Sequence, residues 1–204
     1  MERPGGHPNI GHPHIVLIGL MGAGKSTLAE ALADRLGHPI RDSDRDIEVV
    51  LRFTGADLAE HHGVPRLHGV ERGMLLGALA SDEPTIITAA ASTVEDELCR
   101  QAMRQRAFVV VLQAPVEVLL ERAAAGVHRR PVDPDEFAAL AARRAGPFAE
   151  VADLTVDARL PVEDLVTAVV EAAGRVNDPT GRPGPGGSDF GADLDHRYLP
   201  PTWR

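Results

Sequence analysis

Short apolar runs alternate along this chain with longer stretches of helical spacing. Ile15-Val16-Leu17-Ile18 is a β-branched run suited to a strand buried on both faces, and Leu28, Ala31, Leu32 and Leu36 follow at helical spacing over residues 27–36. Gly37-His38-Pro39 then ends that helix. Further strand-like runs fall at Pro39–Asp42, Thr85–Thr88, Phe108–Leu112 and Leu154–Val156, each parted from the next by at least one helix-like segment. The alternation predicts an α/β fold, a parallel sheet covered by helices on both faces. Ligands of such sheets sit beyond the carboxyl ends of the strands, so the residues just after each strand become the candidate site. No internal repeat is evident.

Composition divides the chain. Residues 1–176 read as one domain with room for a sizeable core, and from Asn177 a Pro/Gly-rich run opens a tail, 177–204, of linker-like composition. Tyr198 and Trp203, the only Tyr and Trp of the chain, lie in that tail. It reads either as a terminus without fixed structure or as a peptide that docks on the chain itself, a twin subunit or a partner. Met1–His14 is polar and lacks the apolar core of a signal peptide, and the apolar run at 15–24 is too short to span a bilayer. A single cysteine, Cys99, excludes an internal disulfide and fits a reducing cytoplasm, where a buried thiol is its expected state. The net charge of −9 argues against a nucleic-acid or anionic-membrane surface, so any anion must be bound locally.

The strongest local signal follows the first strand. Gly19-Leu20-Met21-Gly22-Ala23-Gly24-Lys25-Ser26-Thr27 satisfies G-x-x-x-x-G-K-[ST] at every fixed position, between a strand and a helix. Of the 21 basic residues only Lys25 is lysine. A phosphate loop needs a compact ammonium on a thin stem, where a wider guanidinium would not fit. Backbone N–H groups from Gly22, Ala23 and Gly24 through Thr27, with the positive end of the helix, are placed to hold the phosphates of ATP, and the Ser26 hydroxyl to meet Mg²⁺.

Other residues gather around this loop. Asp42 and Asp44 follow the second strand, where spacing of two puts both carboxylates on one side of an extended chain; one is suited to the Mg²⁺ shell or a proton, the other to an acceptor hydroxyl. The plainer reading is a helix cap by Ser43 or Asp44. Arg122, Arg129 and Arg130 flank small residues and precede Pro131 and Pro134, the composition of a mobile lid whose arginine stabilises a transferring phosphoryl group, or of an exposed basic loop. Arg143 and Arg144 lie on the next predicted helix, one to the cleft and one to solvent. Arg159, after the last strand, is suited to stacking on a nucleotide base or to the surface. His12, His14, His61, His62 and His68 invite a metal reading, but without supporting cysteines or a His-x-x-x-His pair they read as solvated or locally hydrogen-bonded.

Taken together, these elements resemble the shikimate kinase family from about Ile15 to Ala173. The resemblance rests on the phosphate loop, the Asp42-Ser43-Asp44 pair, Arg130-Pro131 and Arg143-Arg144-Ala145. It implies a three-layer α/β/α P-loop kinase with a five-stranded parallel sheet and a mobile lid, passing the γ-phosphoryl of ATP to a ring hydroxyl. By position it implies that Lys25 and Ser26 bind phosphates and Mg²⁺ and that Asp42 assists the metal. Asp44 then orients the acceptor hydroxyls, Arg130 closes on the transferring group, and Arg144 faces the acceptor.

Two departures stand out against the family. Its three consecutive glycines after the third strand are Ala89, Ala90 and Ala91 here, which puts three methyls on that wall. Its carboxylate-binding arginine in a Phe-Arg-Arg pattern is replaced by His68, within Leu67-His68-Gly69, and a neutral imidazole is no bidentate fork. The expectation is therefore a cytoplasmic Mg²⁺- and ATP-dependent kinase of shikimate kinase type acting on a hydroxyl of a small cyclitol- or polyol-like acceptor, with shikimate expected to be a poor one. A genuine shikimate kinase with Arg144 alone gripping the carboxylate is one alternative, and a catalytically silent ATP-binding regulatory protein is the other.

Overall fold

The computed structural model describes residues 14–125 and 133–175; the tail and Arg129, Arg130 and Pro131 lie outside them. Five parallel strands, β1 (His14–Ile18), β2 (Ile40–Asp42), β3 (Thr85–Thr88), β4 (Ala107–Gln113) and β5 (Leu154–Asp157), form one sheet in the order β2-β3-β1-β4-β5. Each strand-like run of the sequence is one of these strands. β1 is central and every residue of it is buried, which is why Ile15–Ile18 is an uninterrupted apolar run rather than an alternating one.

Eight helices join and cover the strands among the described residues: α1 (Lys25–Leu36), α2 (Ser43–Leu51), α3 (Gly55–His62), α4 (Val64–Leu79), α5 (Glu97–Arg106), α6 (Val116–Ala124), α7 (Pro134–Val151) and α8 (Val162–Arg175). Helix α1 starts two residues earlier than its apolar repeat, at Lys25, and buries Leu28, Ala29, Leu32 and Leu36. Ala29, not Ala31, completes its buried face; Ala31 sits on the flank, half-buried.

Two cores result. The larger joins β1, β3 and β4 to α1, α4, α5, α7 and α8, and includes Phe108, Phe137, Phe148 and the buried thiol of Cys99. The smaller, Ile47, Leu58, Val70 and Met74 with Leu51, Phe53 and Leu67 against it, ties α2, α3 and α4 into a unit beside edge strand β2. That unit carries Asp44 and His68, so the groups expected to meet an acceptor rest on their own small core.

His14 departs from the expected solvated or local histidine. It is the first residue of β1, fully buried, and its Nε2 lies 3.0 Å from the Ser81 carbonyl oxygen, far away in sequence. Burial lowers its pKa and keeps it neutral. His61 is local, bonded through Nδ1 to the Asp57 carbonyl at 2.8 Å. Among the described residues no His/Cys/Asp/Glu cluster of three or more is placed to hold a metal, and no helix is long and apolar enough to cross a membrane.

Candidate active site

The chain leaves β1 into the loop Gly19–Gly24, which feeds directly into α1. Gly22 (φ 82°) and Gly24 (φ 84°) are both left-handed, a conformation that L side chains rarely adopt. A Cβ on Gly22 would also overlap the Leu119 carbonyl of α6, whereas one on Gly24 would meet nothing within 4 Å. Gly24 is the N-cap of α1 and supplies no side-chain hydrogen bond, so the opening N–H groups of the helix are left to an anion. Lys25 Nζ donates to the carbonyls of Gly19 at 3.0 Å and Leu20 at 3.4 Å, which lays the ammonium across the loop.

Ser26 Oγ donates to Asp42 Oδ2 at 2.9 Å. The other oxygen of the same carboxylate, Oδ1, accepts from the backbone N–H of Asp44 (3.1 Å) and of Arg45 (3.2 Å). The cap of α2 is thus Asp42 itself, not Ser43 or Asp44, and Ser43 is the first, buried residue of the helix. This also corrects the extended-chain argument for the acidic pair: once Asp42 captures the two N–H groups the backbone turns helical, so Asp44 is presented by the first turn of α2. It remains exposed there.

Across the sheet end, α4, α7 and the 3₁₀ turn Ala91–Glu95 after β3 bring together His68, Glu71, Ser92, Glu95 and Arg144. Arg144 is buried, with 7 % of its surface exposed, and its Nε donates to Glu95 Oε1 at 2.6 Å. Arg143 is 61 % exposed and reaches the same oxygen at 3.2 Å, so the two adjacent arginines divide between the interior and solvent. Burial acts to raise Glu95, and hydrogen bonds from Arg144 and Arg143 overcome it, so its carboxyl titrates below the usual range. Burial, then the Arg144 charge, lowers His68 and leaves a neutral imidazole.

Glu71 is buried on α4 and accepts a short hydrogen bond from Ser92 Oγ. Burial pushes its carboxyl from an ordinary 4.5 up to about 7 against that bond; Asp44 adds to the rise while Arg144 and Lys25 oppose it. Glu71 thus lies within electrostatic reach of Asp44, of Arg144 and of Lys25 in the phosphate loop. Of the three alanines, Ala89 is buried in the larger core and bonds through its N–H to the Leu17 carbonyl at 3.0 Å; Ala90 and Ala91 are half-buried, and Ala91 packs against that same core. The wall thus carries two candidate methyls rather than three. Ala90 has φ −63°, so no strained backbone follows from the missing glycine.

The remaining expected residues lie elsewhere. Arg122 belongs to helix α6 and not to a lid, and its Nη1 donates to the Ala158 carbonyl at 2.8 Å, tying α6 to the turn after β5. In that turn Arg159 forks onto Asp157, Nε to Oδ1 at 2.9 Å and Nη2 to Oδ2 at 2.6 Å, and holds the Asp157 carboxyl down at about 2. The pairing fixes the plane of Arg159 while its side chain stays 56 % exposed. Arg130 lies outside the described residues. Glu71 and Glu95 were not anticipated. The available signal for Glu71 was an acid amid the apolar positions of α4, three residues beyond His68 on the same face. Glu95 had no comparable signal, because its partner is supplied by α7.

A phosphate loop after the central strand, an acid on its serine and an arginine-bearing cleft beyond the sheet define a P-loop phosphotransferase. The sequence model described as "Shikimate kinase" matches residues 21–173. The chain is 36 % identical over 165 residues to the shikimate kinase of Symbiobacterium thermophilum, covering 78 % of this chain and 94 % of that one. It is 32 % identical over 167 residues to that of Rhodopseudomonas palustris, covering 80 % and 82 %. Among solved structures it is similar to shikimate kinase from Acinetobacter baumannii in complex with shikimate, with a TM-score of 0.75 and 26 % identity over 82 % of this chain and 96 % of that one. The chain belongs to the shikimate kinase family. It is an ATP-dependent phosphotransferase acting on a hydroxyl group, and the silent regulatory reading falls with that assignment.

Proposed function

We propose that this kinase transfers the γ-phosphoryl group of ATP to a hydroxyl of shikimate, giving shikimate 3-phosphate and ADP. The observation that carries the reading is the phosphate loop feeding α1, with Ser26 bonded to Asp42, in a fold that also buries an arginine, Arg144, on α7. The relatives and the shikimate-bound neighbour support the choice of acceptor over the differently shaped polyol expected from the sequence.

Residue roles follow from position. The N–H groups of Gly22–Thr27 and the Lys25 ammonium hold phosphate oxygens, and Arg122 and Arg159 frame the nucleotide side. Ser26 and Asp42 present two oxygen donors 2.9 Å apart, and this hard, sparse set fits Mg²⁺, which draws most of its ligands from phosphate and water. Bound there, the ion would neutralise charge on the phosphates. The acceptor oxygen takes the phosphorus, the bond to the ADP oxygen breaks, and the hydroxyl proton leaves; Asp44 is the exposed carboxylate we assign to orient that hydroxyl and receive its proton. Arg144 grips the acceptor carboxylate, with His68, Ala90 and Ala91 along the wall, and Arg130 closes on the transferring group. Residues 1–176 form the catalytic unit and 177–204 an appended tail, and we place the enzyme in the cytoplasm, as its single cysteine suggests.

A second acceptor is favoured by one observation. Arg144 already has a carboxylate partner, and His68 beside it is neutral, which suits a neutral polyol better than an acid. Screening carboxylated and neutral polyols for acceptor-dependent ADP release separates the two: turnover of shikimate above all others supports the first, and turnover of a neutral polyol with shikimate inert supports the second.

A further inference from the structure

We infer that Glu95 is a specificity-determining residue, an internal carboxylate that holds the Arg144 guanidinium so that an acceptor's own carboxylate must compete with it. The inference rests on the reading that Arg144 faces the acceptor.

Arg144 comes from α7 and Glu95 from the 3₁₀ turn that carries Ala91 and Ser92. Their bond, Nε to Oε1 at 2.6 Å, is charge-assisted, and the guanidinium is buried while Glu95 is about one-third exposed. A buried guanidinium left without an anion is costly, so Glu95 satisfies Arg144 when no acceptor is present. It also occupies the Nε edge of the fork, one of the two edges on which a planar carboxylate can make bidentate contact. Its partial exposure lets it yield that edge, and the yielding is what weakens an acidic ligand.

The neighbouring residues supply no substitute. His68, on the face of α4 toward Arg144 and Glu95, is an imidazole without charge at neutral pH. Glu71 lies on the same wall with Ser92, and when ionised it repels an acidic ligand further. Arg143 shares Glu95 from the solvent side and does not enter the core. One buried cation thus faces two acids on the acceptor side among these residues. With Glu95 already on Arg144, a carboxylated ring gains less over the same ring with the charge removed than it would on an uncontested guanidinium.

The test compares shikimate with its methyl ester, which keeps the ring and hydroxyls but not the anion. Affinities of both for the full chain and for Glu95→Gln are measured by calorimetry, and turnover is measured alongside. Glutamine keeps a hydrogen-bond acceptor for Arg144 and releases its charge. The ratio of shikimate to ester affinity should rise about tenfold in Glu95→Gln, as expected when a charge-assisted bond is freed, with the gain in turnover falling in KM rather than kcat. Glu95→Ala should move the ratio in the same direction, and a thermal melt shows which variant is folded. An unchanged or lower ratio, or no shikimate binding to either folded variant, overturns the inference. If the unaltered chain binds shikimate and turns over neither compound, the proposed function fails while the binding ratio still decides the role of Glu95.

Discussion

Asp42 binds the Ser26 hydroxyl with one carboxylate oxygen, at 2.9 Å, while its other oxygen caps helix α2. Ser26 lies in the first turn of α1, after β1, and Asp42 is the last residue of β2, and the strand order places β3 between those strands. The bond therefore fixes the phosphate loop against the helix that carries Asp44. Capping and a role beside the phosphate loop were competing readings of the sequence; the geometry gives one oxygen of Asp42 to the cap and the other to Ser26.

Asp42→Asn isolates the second role, because asparagine is as good an N-cap as aspartate. The variant should melt within about 1 kcal/mol of the parent in stability and lose roughly 10- to 100-fold in activity, with a raised Mg²⁺ requirement. Thermal melts and Mg²⁺ titrations of initial rate check it. A large loss of stability with the Mg²⁺ dependence unmoved would leave Asp42 as a cap alone.

Lys25→Arg should fold normally and lose on the order of 10²-fold in kcat/KM, since it keeps the charge but not the compact point donor that the loop needs. Initial rates at matched circular dichroism spectra test this. Comparable turnover would remove the argument drawn from the lone lysine.

The two left-handed loop glycines should respond differently. Gly24→Ala meets no neighbour and should cost about 1 to 2 kcal/mol of stability from conformation alone. Gly22→Ala adds an overlap with the Leu119 carbonyl and should cost more, because α6 must shift. Denaturant melts of the pair check the order, and equal losses would show that α6 yields freely.

Glu71 predicts a pH dependence of stability. Its carboxyl is raised from 4.5 to about 7 in the fold, so the folded state holds its proton more tightly than the unfolded chain. That contribution is complete below pH 4.5 and is lost as pH rises to about 7. Glu71→Gln cannot ionise, so its stability relative to the parent should improve by roughly 2 to 3 kcal/mol between pH 5 and pH 8.5. Parallel stability curves across that range would show that Glu71 is ordinary.

The sheet was legible because β1, β3 and β4 carry short β-branched or apolar runs parted by helix-like segments, with β1 and β4 the clearest cases. The phosphate loop was legible because its spacing is fixed by backbone geometry. The contacts of Arg144 were not. Helical periodicity places it on a face, but its partner Glu95 arrives from a turn 49 residues earlier, and no local pattern encodes that meeting. His14 was misread for a similar reason, since its partner Ser81 lies across the fold. Ala89 was assigned to the cleft with its neighbours because three small residues in a row do not reveal which one the strand end turns inward.

The central claim, ATP-dependent phosphorylation of shikimate, is tested most directly by measuring ADP release from ATP and Mg²⁺ with and without shikimate, with identification of the phosphorylated product. The account predicts release that depends on shikimate, matches the product mole for mole, and saturates toward the upper end, about 1 mM, of ordinary KM values. ADP release that is the same without shikimate, or turnover of a neutral polyol while shikimate stays unmodified, would contradict it.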